Sequence, residues 1–170
     1  MTEGAGRFAV RRLLPADAPA FRALRLEALE HHPEAFGASL EEEAAADNAF
    51  FATRLAGNAI FGGSLPGAPQ LGGIMALAIP SSPKSRHKAL LWGVYLRPEA
   101  RRSGLAAALL EAVLNHARGQ AEEVRLAVTA GNTAARRLYL RAGFTDWGME
   151  PRAVKIGGTY YDEHQMVLRL

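Results

Sequence analysis

Two stretches of this 170-residue chain combine residue types and spacings that can do chemistry. The first is Arg101-Arg102-Ser103-Gly104-Leu105-Ala106, at the mouth of a helix predicted from Leu105 to Arg118. A helix N-terminus presents backbone N–H groups without intrahelical partners and carries a partial positive charge. Gly104 and Ala106 leave room for an anion to approach that backbone, and Arg101 and Arg102 add positive charge beside it. The combination suits a pyrophosphate. An ordinary Ser103-Gly104 cap flanked by two solvated arginines fits the same residues, and local chemistry does not separate the two readings. The segment is not a Walker A loop, because no Gly-Lys-Ser/Thr follows, and the chain holds no Gly-x-Gly-x-x-Gly fingerprint. Downstream, Asn132 and Tyr139 stand seven residues apart, close to two helical turns, so an amide and a phenol project in similar directions. They can face one ligand. Taken alone, a capping Asn, a packed Tyr and a Gly143-Phe144 stop describe this stretch more simply.

Other polar residues carry weaker signals. Glu27, Glu30, Glu41, Glu42 and Glu43 read as solvated helix faces or as carboxylates that attract an ammonium group. His87, in a basic loop with Lys84, Arg86 and Lys88, reads as exposed, with a base role as the alternative. That patch is short and lacks interleaved aromatics, so it describes a solvated loop and not a nucleic-acid surface. His31-His32 has no further ligands at metal-binding spacing. Trp92 and Tyr95 belong in the core or along a cleft, and Tyr160-Tyr161 at a strand edge or the wall of a site.

The elements that must position these residues follow from periodicity. Phe8–Leu13 alternates as a first strand. Asp17 precedes a helix with Phe21, Leu24 and Ala28 on one face, which Pro33 ends. A second helix is predicted over Ser39–Leu55, with Glu41, Glu42 and Glu43 in its first turn. Strands follow at Ala59–Gly62 and Leu71–Ile79, then a central strand at Ala89–Leu96, apolar on both faces. Leu105, Leu109, Ala112 and Val113 share a face of the next helix. Val124–Val128 alternates, Asn132 caps a helix over Thr133–Ala142, and Ala153–Ile156 with Tyr161–Leu168 forms a last hairpin around Gly157-Gly158. The fold class is a mixed α/β sheet in the order β-α-α-β-β-β-α-β-α-β-β, forming one domain over residues 1–170.

Composition agrees. A hydrophobic fraction of 49% and a charged fraction of 22% describe a folded chain. The longest apolar run, Leu105–Leu110, is too short to span a bilayer. Met1–Arg12 has no apolar leader core, so the expected compartment is the cytoplasm. The absence of cysteine removes thiolate nucleophiles and thiolate metal sites. A net charge of +3 is too small an excess to argue for a nucleic-acid partner.

Together and in this order, the two chemical stretches resemble the Gcn5-related N-acetyltransferase (GNAT) superfamily. Arg101 to Ala106 matches its Gln/Arg-x-x-Gly-x-Gly/Ala loop, preceded by Val94-Tyr95-Leu96-Arg97-Pro98. Asn132 to Phe144 matches its Asn-x-x-Ala-x-x-Leu-Tyr-x-x-x-Gly-Phe segment. The resemblance is tight over Leu90–Phe144 and looser at either end. It implies a sheet splayed into a V between the fourth and fifth strands, with acetyl-CoA in the opening as co-substrate and no metal. It implies that the backbone of Val94, Tyr95 and Leu96 pairs with the pantetheine arm. Backbone amides of Arg102, Ser103, Gly104, Leu105 and Ala106 would hold the pyrophosphate with Arg101 adding charge, Asn132 would contact the pantetheine, and Ala135 would also bind the cofactor.

The implied chemistry is direct attack of a primary amine on the acetyl carbonyl, with Tyr139 as general acid to the departing thiolate. The acceptor is a small molecule or a peptide N-terminus. A homodimer is compatible with this reading, and neither membrane nor nucleic acid is expected. A different acyl-CoA donor, or a CoA-binding module without catalysis, are the alternatives. The ribosomal-protein acetylating branch carries a glutamate where this chain has Ala127, so the base stays unassigned. Gly104, as a helix-start glycine, is expected to be replaceable at little cost to the fold.

Overall fold

The computed structural model of the protein describes residues 8–170, so the part of the leader reading on residues 1–7 lies outside it. The strands are β1 (Ala9–Arg12), β2 (Ala59–Ser64), β3 (Gly73–Ala78), β4 (Lys88–Leu96), β5 (Glu123–Thr129), β6 (Thr145–Ile156) and β7 (Thr159–Arg169). The helices are α1 (Ala18–His31), α2 (Leu40–Ala44), α3 (Asn48–Gly57), α4 (Leu105–Ala117) and α5 (Thr133–Arg141). The seven strands form one mixed sheet ordered β1-β2-β3-β4-β5-β7-β6. One face packs against α4 and α5 through Leu105, Leu109, Val113, Val124, Leu126 and Tyr139. The other packs against α1 and α3 through Phe21, Leu24, Phe51, Leu55, Ile60 and Ile74.

The mixed order expected from periodicity is present, with two differences. The predicted Ser39–Leu55 helix is broken in two. Ser39 caps α2 by accepting from the Glu42 amide at 3.2 Å. Arg22 then takes the Ala44 and Ala46 carbonyls at 3.1 and 3.3 Å, and Asp47 restarts the helix by accepting from the Phe50 amide at 3.0 Å. Apolar periodicity does not register these polar terminators. The last hairpin is also longer than predicted. β6 begins at Thr145, because the mostly exposed run from Thr145 to Arg152 carries no alternation. Only its pairing with β7 makes it a strand.

The sheet is continuous from β1 to β4 and then forks. Parallel pairing of β4 with β5 covers only Lys88–Glu123, Ala89–Val124 and Leu90–Arg125. Beyond Leu90, β4 pairs with β3 alone. The register there slips by one: Ile74 opposes Tyr95 and Ala76 opposes Trp92, so Met75 faces two residues, Gly93 and Val94. Gly93 has φ +61°, a conformation that costs other residues strain. A bulge bends its strand and sharpens its twist, which carries the end of β4 away from β5.

Charge holds the α1–α3 cap over this bend. Arg25 of α1 makes a paired 2.9 Å contact with both oxygens of Glu43, and Arg54 of α3 reaches the same carboxylate at 2.7 Å. Arg25 and Glu43 are buried. Both guanidiniums stack over Trp92, at 5.8 and 5.5 Å from its centre. Glu43 is therefore not part of a solvated face. Burial would raise its pKa, but the hydrogen bonds and charges of Arg25 and Arg54 outweigh burial and hold the carboxyl below its ordinary value. The stability it contributes is complete above the ordinary glutamate pKa and is lost as pH falls through the depressed folded-state value. Glu43→Gln should cost about 3–5 kcal/mol in urea unfolding, because it leaves Arg25 buried without a counter-charge. The variant should also show a flatter loss of stability with acid than the parent protein. A variant as stable as the parent would show that the stacking on Trp92, and not the charge pair, holds the cap.

Candidate active site

The fork brings the predicted site residues to one end of the sheet. Val94 and Leu96 are half-buried and pack with the α4 side, while Tyr95 is buried toward α1. The Tyr95 hydroxyl donates to Glu27 at 3.0 Å, and Arg97 holds the same carboxylate at 2.9–3.2 Å. Burial, then the bond to Glu27, pushes the Tyr95 phenol up to about 12. Glu27 is thus a structural anchor between α1 and the end of β4, not a free lure for an ammonium group.

The chain leaves β4 through the turn Pro98–Ala100 and enters α4 through two left-handed residues, Arg102 at φ +60° and Gly104 at φ +100°. Ser103 Oγ ties this loop together, donating to the Ala100 carbonyl at 2.6 Å and accepting from the Leu105 amide at 3.1 Å. The amides of Arg102, Ser103, Gly104 and Ala106 donate to no acceptor among the described residues. The Ala107 amide is likewise without an acceptor among the described residues, and free N–H groups at a helix N-terminus make a cradle that suits an anion. Leu105 is fully buried and its amide is taken by Ser103, so it contributes position only. Arg102 is exposed beside the cradle. Arg101 turns the other way: its Nε donates to the Leu96 carbonyl at 3.3 Å and its Nη2 to His32 Nε2 at 3.0 Å. An arginine only donates, so His32 Nε2 accepts there. The expectation that Gly104 can be replaced cheaply is corrected here, since its φ lies where a Cβ is strained.

Asn132 caps α5, its Oδ1 accepting from the Ala135 amide at 3.2 Å. Its Nδ2 has no partner among the described residues, and Ala135 packs half-buried against the core. Two turns on, Tyr139 is buried with its ring 5.7 Å from Phe144. Its hydroxyl has no hydrogen-bond partner among the described residues, and burial pushes the phenol well above its ordinary pKa. It is a protonated donor at neutral pH.

Some predicted residues are not part of this assembly. His87 precedes β4 at the closed end of the fork, where its carbonyl accepts from the Glu122 and Glu123 amides at 2.8 and 3.1 Å. Tyr160 stacks under Arg152 near the hairpin tip, 3.8 Å from its guanidinium. Among the described residues no His, Cys, Asp or Glu group is arranged to hold a metal ion, and no helix is long and apolar enough to cross a membrane. Sequence reasoning missed Glu150 and Glu163, which face each other across β6 and β7. Extending the hairpin back to Thr145 would have revealed them.

A family model described as the acetyltransferase (GNAT) family matches residues 18–144. The fold is shared with solved structures of low sequence identity. An acetyltransferase of the GNAT family from Streptococcus pneumoniae superposes with a TM-score of 0.83 at 22% identity, covering 96% of this chain and 99% of that one. The yncA protein of Salmonella typhimurium, solved with its cofactor acetyl-CoA, gives 0.77 at 21%, with 96% and 94% covered. A ribosomal-protein-alanine N-acetyltransferase from Brucella melitensis gives 0.76 at 23%, with 95% and 99% covered. The chain belongs to the GNAT acetyltransferase family.

Proposed function

We propose that this member of the family is a single-domain cytoplasmic enzyme that moves an acetyl group from acetyl-CoA to a primary amine, of a small molecule or a peptide N-terminus. The observation that carries this reading is the fork, with amides at its mouth that have no partner among the described residues and a protonated phenol on the α4 side. The residues fit the donor. The amides of Arg102, Ser103, Gly104 and Ala106 suit a pyrophosphate, with Arg102 adding charge. Beyond Leu90, the edge of β4 facing β5 has no strand partner, so Val94 to Leu96 offer a ladder to an extended amide-containing arm. Asn132 Nδ2 can donate to the same arm.

Bound acetyl-CoA supplies a thioester activated toward attack by a neutral amine. Tyr139 then delivers a hydrogen bond and a proton to the departing sulfur. The raised pKa keeps the proton on the phenol until charge develops there. Without cysteine in the chain, direct transfer needs no acyl-thiolate intermediate on the protein.

Two variants test the reading. Tyr139→Phe keeps the ring against Phe144 and removes a hydroxyl that bonds nothing among the described residues. Stability and acetyl-CoA affinity should change little while kcat falls about ten- to a thousandfold, measured by thiol release. Normal turnover with lost stability would make Tyr139 a packing residue. Gly104→Glu should abolish CoA binding in calorimetry, by placing a carboxylate at the cradle. It should also cost about 1–2 kcal/mol of stability from the left-handed backbone. Near-normal affinity in the folded variant would remove the cradle assignment.

A further inference from the structure

Strand register decides which side chains stand on the face opposite the cradle. In antiparallel pairs, directly opposed residues share a face. Thr129 of β5 opposes Glu163 of β7, and Glu163 opposes Glu150 of β6. Ala127 opposes Gln165 on the same face. Val128 and Met166, on the alternate positions, are in the core beneath α4. Thr129 identifies the Glu163 face as the α1 side, because its hydroxyl donates at 3.0 Å to the Glu34 carbonyl in the turn Pro33–Ala35. The phosphate cradle is at the start of α4, on the other side of the sheet. An amine approaching from the α1 side meets the fork without crossing the donor.

Glu163 is the unspent carboxylate on that face. It is half-buried and has neither a hydrogen bond nor an ion pair with a described residue. Its neighbour Glu150 accepts from Gln165 Nε2 at 3.2 Å. Ala127 is exposed and offers only a methyl group, so the surface between Gln165 and the fork stays open. The charged groups on this side include Glu150 from β6, Glu34 from the turn after α1 with His32 at 3.7 Å from it, and, across the fork, Arg101 bonded to His32 and Arg97 paired with Glu27, while β7 itself adds Tyr161 two positions from Glu163. β5 contributes the neutral Thr129, and its Arg125 is paired with Glu123 at the closed end. Burial, then the charge of Glu150, raises the Glu163 pKa, which makes its carboxylate a stronger base than an ordinary glutamate.

Building on the acyl-transfer reading, we propose that Glu163 is the proton acceptor for the attacking amine, directly or through one water. The amine lone pair forms the C–N bond, the C–S bond breaks toward sulfur, the amine proton moves to Glu163, and Tyr139 protonates the thiolate. Solvent then returns the proton balance, with no net change.

The test is the pH dependence of kcat/KM by thiol release, with acetyl-CoA and a panel of small primary amines and a short peptide bearing a free α-amino group. In the parent protein the acid limb should steepen from slope one to slope two below the Glu163 ionisation. Glu163→Gln should lower kcat/KM by roughly 10²- to 10⁴-fold, keep acetyl-CoA affinity, and show slope one throughout. Glu163→Asp should recover part of the rate. Glu150→Gln should move the break to lower pH, since the like charge that raises the Glu163 pKa is gone. A merely structural Glu163 would not move that break. An active parent with an equally active Glu163→Gln variant, and the same acid limb, overturns the assignment while leaving acyl transfer standing. A parent inactive on every amine overturns the acyl-transfer reading and this inference with it.

Discussion

Backbone N–H and C=O groups that leave water must find partners, and β4 is the strand on which this fold leaves that requirement open. It is paired on both sides as far as Leu90 and on one side from there to Leu96. The one-residue slip at Gly93 and Val94 bends it off the line of β5, so no strand fills the gap. An extended ligand with its own amides meets a ready-made ladder in that opening. The start of α4 and Tyr139 lie on the same side of the sheet, as the proposed binding of one long donor molecule requires.

A bend in a central strand has to be supported. Here the support is electrostatic as well as apolar. Arg25, Glu43 and Arg54 lock α1, α2 and α3 together directly over Trp92, and Glu27 ties α1 to Tyr95 and Arg97 at the strand's end. The cost of burying such charges is met by the two-oxygen contact and the additional arginine on Glu43. One buried donor, Arg25 Nη1, is without a partner among the described residues, and a Cβ on Gly93 would lie 3.8 Å from it. The triad therefore reaches the bend itself.

Two ionisable groups on opposite faces of the sheet are shifted in the same direction, and the proposed chemistry gives them opposite tasks. Burial raises the pKa of Tyr139, which keeps a proton available where a thiolate would form. Burial and Glu150 raise the pKa of Glu163, which strengthens its hold on a proton it receives. Neither effect needs a metal or a covalent intermediate. On the proposed reading, donor and acceptor approach from different faces, so neither has to displace the other.

Much of this was legible in the residue order. Local signals sufficed where the physics is local: the Leu105 face of α4, the Asn132 cap and Gly143 stop of α5, and the free amides expected wherever Gly104 opens a helix. The two motif segments, in order and at their spacing, carry the family resemblance in the sequence itself. Interactions between segments distant in the chain were not legible. Glu43 looked like one of three solvated glutamates because its partners, Arg25 and Arg54, lie on other helices. Gly104 looked replaceable because its φ is set by the turn from β4, not by the helix it opens. β6 was half hidden because an edge strand with two exposed faces has no alternation to read. Glu150 and Glu163 are thirteen positions apart in the chain, and only hairpin register makes them neighbours. Periodicity reports which face of an element is apolar; tertiary structure alone decides which polar residues from different elements share a face, as Glu150 and Glu163 do.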